Sequence, residues 1–295
     1  MRLRALAPAK VNLSLFVGPT RPDGRHELVT LFQSLSLCDE LELDTLEAPP
    51  DRVECPEVPG ETNLAARALA DLRARGWAGP PVAIRITKRI PVAAGMAGGS
   101  ADAAATLRLA SELAPGRPEE VEAVAAGLGA DVPAQLAPGL AIGTGAGEIV
   151  ERLEPLAAHA LLVVPLPAEL STPAVYREAD RLGLPRDPGE LAELLARLRE
   201  EARPGARLPA ELMINDLEPA AVSLCPAVGE ALDRVRGTGA HAAMVSGSGP
   251  TVVGIWWGAE AAERADQAAR SFGPEYPRAH VARPVDVNVG APEAV

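Results

Sequence analysis

Aromatic side chains are scarce: Phe, Trp and Tyr together make up 3% of the 295 residues. A core must therefore be filled by small and aliphatic groups, and a hydrophobic content of 47% supplies enough of them to argue against disorder throughout. Cysteine is nearly absent too. Cys38, Cys55 and Cys225 are far apart and odd in number, so neither a disulfide framework nor a zinc pattern follows, and free thiols in a reducing compartment are expected. With only four histidines there is no multi-histidine metal site, and no metal ligand set is assigned. Positive charge is in deficit. Twenty-eight Lys and Arg against forty Asp and Glu give a net charge of −12, a surface that repels nucleic acid and anionic membrane. Any anionic ligand has to be met by a local site. No run of 18 uncharged apolar residues suits a bilayer, and "MRLRALAPAKVNLSL" is broken by Pro8, Lys10 and Asn12, which makes a poor signal peptide. The expectation is a cytoplasmic, soluble chain, a monomer or weak homodimer, that takes a small molecule rather than nucleic acid or membrane.

What is present is a mixture of strand and helix patterns. "VNLSLFV" (11–17) alternates as a strand, "PTRPDGRHE" turns at Asp23-Gly24, and residues 28–46 hold one or two further strands. A helix is expected over 62–76 with Thr62 or Asn63 as its cap, a strand over 81–91, and a helix from about 100 to 114. Further helices are expected within 117–129, 187–206 and 259–273, and helical turns over 211–239 broken at Pro219 and Pro226. Strands are expected within 140–154, 158–167, 242–257 and 278–287, followed by a frayed tail. No regular β-α alternation and no internal repeat is visible, so the reading is α+β with two domains, 1–150 and 151–295, and a cleft between them.

Glycine clusters carry the first chemical signal. "AAGMAGGSADAAA" lies between a strand and a helix. It lacks the lysine of a Walker A loop and the spacing of the dinucleotide fingerprint. Two readings stay open: a packing corner with Ser100 as helix cap, or a cradle in which Gly95, Gly98 and Gly99 bring backbone N–H groups and a helix dipole to a phosphate. "VSGSGPTVVG" (245–254) sets glycines and hydroxyls between two strands, and "GTGAGE" (143–148) reads as a hairpin. Lys10 and Asn12 share one face of a strand, as a solvated edge or as a cleft wall. Asp131 in "GLGADVPAQ" sits in apolar surroundings and needs a partner such as Lys10, unless it merely caps the next turn. His26 is a surface residue or a hydrogen-bonder to a base or sugar. Lys88 and Arg89 precede the glycine loop, and capping accounts for Asn215, Asp216 and Glu218. No Ser-His-Asp or Cys-His spacing supports a hydrolase.

"PAKVNL" (8–13), "PVAAGMAGGSADAAA" (91–105) and "VSGSGPT" (245–251) resemble the three motifs of the GHMP kinases, in order and over nearly the whole chain. "PDGRHE", "GADVP" and "NDLEP" narrow the resemblance to the branch that phosphorylates the 2-hydroxyl of 4-diphosphocytidyl-2-C-methyl-D-erythritol in non-mevalonate isoprenoid synthesis. The resemblance implies ATP and Mg2+, and the GHMP kinase fold: an N-terminal ribosomal protein S5 domain 2-like domain and a C-terminal ferredoxin-like domain. It makes Asp131 and Lys10 catalytic. Asn63, Lys88 and Pro91 would lie near the nucleotide, with Ala94, Gly95, Met96, Ala97, Gly98, Gly99, Ser100 and Ala101 around its phosphates. Asn12, His26 and Tyr176 would hold the substrate, His26 on the cytosine and Tyr176 stacked on it, and Gly247, Ser248, Gly249 and Thr251 would close the site. Three positions depart from the family pattern. Arg25 stands where a tyrosine is usual, Ala97 replaces a glycine, and Ala101 replaces a serine that can touch magnesium. Kinases of homoserine or phosphomevalonate type, or a non-catalytic nucleotide binder, are the alternatives.

Overall fold

A computed structural model describes residues 1–295. The chain runs β1 (Arg2–Thr20), β2 (His26–Thr45), β3 (Arg52–Glu54), α1 (Leu64–Ala74), β4 (Val82–Thr87), α2 (Gly98–Leu113), α3 (Pro118–Leu128), α4 (Val132–Gln135), β5 (Leu140–Thr144) and β6 (Ile149–Leu153). It continues with β7 (His159–Val164), α5 (Thr172–Leu182), α6 (Pro188–Glu201), α7 (Glu218–Leu224), α8 (Pro226–Gly237), β8 (Ala242–Val245), β9 (Val252–Trp257), α9 (Ala261–Arg270), β10 (His280–Ala282) and β11 (Glu293–Ala294). One sheet has the order β11-β1-β2-β4-β3, and β2 also pairs with β5, which carries β6. The other sheet has the order β10-β7-β9-β8. No helix among the described residues is long and apolar enough to cross a membrane.

The first strand is longer than the 11–17 alternation suggests, and it changes face. Leu3, Ala5 and Ala7 pack with α1 and α2. The β1–β2 register then shifts between Pro8 and Lys10, a place where a proline is tolerated inside a sheet and where a bulge re-aims side chains. Beyond the shift Ala9, Val11 and Leu13 pack against Leu161, Val163 and Val253 of the second sheet. Lys10 and Asn12 are thereby turned away from that second core. The bulge thus decides that two polar residues in the middle of a buried strand meet a cleft.

Helix α2 is buried almost all round: Ala103, Ala104, Ala105 and Leu107 have no exposed surface. Its alanines give helix propensity, and they also let the helix sit close on the sheet and on α1. The second sheet is covered by α8 and α9, whose Val228, Leu232, Val235 and Ala265 meet Leu162 and Trp256. The tail expected to fray instead returns to the first sheet, where Leu3 pairs with Ala294 and Arg4 with Glu293. Arg4 also donates to the Glu293 carboxylate at 2.6 Å.

Candidate active site

A cavity of about 820 Å³ is bounded by β1 and β2, the loop before α2, the start of α1, Asp131, α5 and the loop between β8 and β9. Most of the polar residues singled out from the sequence line it.

Between β4 and α2 the chain bends sharply, with left-handed backbone at Ala93 (φ 57°), Gly95 (φ 75°) and Ala97 (φ 54°). Such a conformation costs an L-residue roughly 1 kcal/mol or more, so at Ala93 and Ala97 the surroundings impose it. Ala97 is the cap of α2 and no side chain closes that end. The first helical bond runs from Ala101 N to Ala97 O at 2.9 Å. The N–H groups of Gly98, Gly99 and Ser100 therefore have no helical acceptor, and they carry the positive end of a sixteen-residue dipole. Ser100 sits inside the first turn and does not cap, which removes the packing-corner reading of its role.

The two glycine loops touch. A methyl group on Gly95 would lie 2.6 Å from Ser246 O and 2.7 Å from Gly249 O, so only glycine fits. Ser246 Oγ donates to Gly95 O at 3.1 Å, and Lys10 N donates to Met96 O at 3.1 Å. A methyl on Gly247 would lie 3.6 Å from Asn12 Oδ1 and 3.8 Å from Lys10 Nζ. Both loops thus converge on β1 just past its register shift against β2.

At that point Lys10, 6% exposed, donates from Nζ to Asn12 Oδ1 at 2.9 Å and lies 3.4 Å from Asp131 Oδ1. Asn12 Nδ2 donates to Thr30 Oγ1 at 2.7 Å, and Thr30 donates on to Ser14 O. Asn12 is held by both ends of its amide, which fixes the ammonium beside Asp131. Asp131 precedes α4 yet makes no capping bond. About one third of its side chain remains exposed. The capping alternative is not met, and the carboxylate is left to the cavity.

Asn63 caps α1, accepting from Ala65 N at 2.9 Å, while its Nδ2 donates to Val58 O. It lines the same wall as Pro91 and Ala94. Lys88 lines the cavity but is not a free cation. Its ammonium is gripped by Asp39 and by Asp102, the latter at 2.7 Å. Asp39 Oδ1 also accepts from Arg89 N at 2.5 Å and Ile90 N at 2.8 Å. Asp102 Oδ1 is buried without a partner. Burial pushes the Asp102 carboxyl up to about 7 against the pull of Lys88, and the neighbouring Asp39 charge adds to the push. Sequence reasoning missed both carboxylates. An acid inside the alanine run "SADAAA" was the available sign for Asp102; Asp39 had none, because its partner is 49 residues away.

On the opposite wall the Tyr176 ring stacks on His26, centroids 5.0 Å apart at 29°. His26 Nε2 lies 2.7 Å from Asp180 Oδ1 and 3.3 Å from Thr20 Oγ1. Burial raises the Tyr176 hydroxyl above its ordinary value. Asp180 was missed as well, although its spacing of four from Tyr176 puts both on one face of α5. Arg25 lines this end with its guanidinium on Asp23 at 2.9 Å. Gly247, Ser248 and Gly249 line the cavity, and Ser248 Oγ is 2.8 Å from Thr172 Oγ1. Thr251 and Ala101 are buried at 0% and 1% exposure and are not among the cavity-lining residues.

Residues 63–139 match the family described as GHMP kinases N terminal domain, and residues 186–275 match GHMP kinases C terminal. A 4-diphosphocytidyl-2-C-methyl-D-erythritol kinase from Streptomyces coelicolor is 45% identical over 259 residues, 85% of this chain and 86% of that one. A crystal structure of 4-(cytidine 5'-diphospho)-2C-methyl-D-erythritol kinase superposes with a TM-score of 0.75 at 35% identity, over 95% of this chain and 98% of that chain. A homoserine kinase from Cytophaga hutchinsonii shares the fold, with a TM-score of 0.68 at 19% identity over 100% and 97% of the two chains. Fold and site together define a phosphotransferase acting on a small molecule. More narrowly, the chain belongs to the GHMP kinase family, with that family's N-terminal and C-terminal domains on an α+β fold.

Proposed function

We propose that this kinase transfers the γ-phosphoryl group of ATP to the 2-hydroxyl of 4-diphosphocytidyl-2-C-methyl-D-erythritol, in non-mevalonate isoprenoid precursor synthesis. The observation that carries the reading is the convergence of three parts on one cavity: the uncapped start of α2, the Lys10–Asp131 pair at 3.4 Å, and the His26–Tyr176 stack. Identity of 45% to a kinase of that name supports the substrate. Kinases of the homoserine type support only the fold, at 19% identity.

The residues present suit a polyphosphate. The N–H groups of Gly98, Gly99 and Ser100 would hold its oxygens, which lets a chain of charge −12 meet an anion locally. Among the described residues no three carboxylate, histidine or cysteine side chains cluster. That donor set suits a Mg2+ ion carried mainly by phosphate oxygens and water, with the Ser100 hydroxyl as the side-chain oxygen in the first turn of α2. Bound Mg-ATP supplies the phosphoryl group and offsets its charge. The protein's own part is positioning and electrostatics. Asp131 orients the acceptor hydroxyl and takes its proton as the new O–P bond forms and ADP leaves. Lys10 steadies the charge that develops between them. His26 and Tyr176 present a hydrogen-bonding edge and an aromatic face to the cytosine, with Arg25 at the same end for the diphosphate.

The test is incubation with Mg-ATP and 4-diphosphocytidyl-2-C-methyl-D-erythritol, with homoserine and phosphomevalonate in parallel. A new phosphomonoester on the cytidine substrate alone is expected. Transfer to either of the others, or to none, would overturn the reading.

A further inference from the structure

Asn215, read from the sequence as a cap, does not cap α7, whose N-terminus has no side-chain cap, and makes other contacts instead. The segment before α7 lies alongside β1: Leu15 N donates to Ile214 O at 2.8 Å and Asp216 N donates to Leu15 O at 2.9 Å. Asp216 secures that position, because its carboxylate accepts from Val17 N at 3.0 Å and from Arg186 at 2.6 and 2.7 Å. Asn215 itself is 3% exposed. Its Oδ1 accepts from Leu217 N at 2.9 Å, a side-chain turn ahead of α7. Its Nδ2 donates to Val245 O at 2.8 Å and to Gly247 O at 2.7 Å. One acceptor and two donors on a single short side chain is a pattern that only asparagine provides at this length.

Gly247 is the residue of the second loop that overhangs Asn12 and Lys10, and its neighbours in that loop touch Gly95. We propose that Asn215 is a positioning residue for the kinase reaction: its amide sets the height of residues 246–249 above the Lys10–Asn12 pair. It fixes that loop relative to β1, the same strand that carries Lys10. This inference rests on the proposed reaction, but its structural half can be measured without turnover.

The discriminating variant is Asn215→Asp. Aspartate makes the same turn to a backbone N–H two residues on as asparagine does, so the contact to Leu217 N survives. The two donors become an oxygen facing two carbonyls, and each lost hydrogen bond to a buried acceptor weakens the loop by roughly tenfold. In the ligand-free full chain, amide hydrogen exchange over 246–249 should speed up by roughly tenfold or more. In steady state, kcat with the cytidine substrate should fall by a similar factor while the KM for ATP stays within about threefold. A variant that exchanges and turns over like the parent would reduce Asn215 to a turn residue and overturn the proposal. Should the variant not fold, the parent chain decides. NMR should show slowly exchanging Asn215 side-chain amide protons close to Gly247, and free exchange of those protons would overturn the assignment. A parent chain that transfers no phosphate would overturn the proposed reaction, and the exchange measurement would still decide the role of Asn215 in holding the loop.

Discussion

Asp131 and Asp102 are two carboxylates in one cavity wall with opposite surroundings. Asp131 is one-third exposed beside a single ammonium, free of capping duty. Replacing it by Asn keeps the shape and removes the proposed proton acceptor. Asp131→Asn should lower kcat by roughly 100-fold or more with the KM for ATP within about threefold. A kcat within threefold of the parent would remove Asp131 from the chemistry. Asp102 is buried, and its carboxyl is raised to about 7 from the ordinary 3.8, chiefly by burial. The folded chain therefore keeps a proton between those values that the unfolded chain gives up. Through this group stability falls as pH rises from about 4 to about 7 and is level above. Asp102→Asn cannot lose that proton. The melting temperature of the variant relative to the parent should therefore rise between pH 5 and pH 8. A constant difference across that range would show that Asp102 does not titrate there.

The element that governs the cavity is the loop between β4 and α2, and its glycines are not equivalent. Gly95 has φ 75° and no space for a methyl group. Gly99 lies inside α2 with its nearest neighbour at 3.6 Å, an ordinary contact. Gly95→Ala should lower the melting temperature by several degrees and part the two loops, at a backbone cost of roughly 1–2 kcal/mol before the clash is counted. Gly99→Ala should leave it unchanged or raise it, by up to about 1 kcal/mol of helix propensity. Calorimetry on the pair is the check, and a Gly95→Ala chain that melts like its parent would mean the loops do not touch in solution. At this scale the sequence was readable wherever an element is locally determined. Alternation marked β4, the change from glycine to alanine marked α2, and Pro226 divided α7 from α8. It was less readable where a neighbour decides. The start of β1 was hidden by Pro8, which is tolerated because the register shifts there. Pro219 was expected to break a helix and instead lies in the first turn of one. The site followed the same division. Lys10, Asn12 and the glycine loops were visible as motifs, whereas Asp39, Asp180 and the donors of Asn215 act through contacts 30 to 154 residues distant.

Across the whole molecule the two sheets are not separate bodies. Ala9, Val11 and Leu13 of the first strand share one buried cluster with Leu161, Val163, Val253 and Ile255 of the second sheet. Burying such side chains stabilises by roughly 1.5–3 kcal/mol for each Val, Leu or Ile, and that contribution would be lost if the halves parted. Heating should therefore give a single cooperative calorimetric transition, and two resolved transitions would show that the halves come apart first.

That shared cluster works against the hinge that a two-lobed enzyme would otherwise use to clasp its ligand. With an apolar seam the lobes are expected to move little against each other, which leaves admission to the cavity to short segments such as 91–97 and 246–249. Small-angle scattering should then give a radius of gyration that moves by no more than on the order of 1 Å when nucleotide and acceptor are added. The gatekeeping would rest on a few hydrogen bonds between loops, among them the one from Ser246 to Gly95.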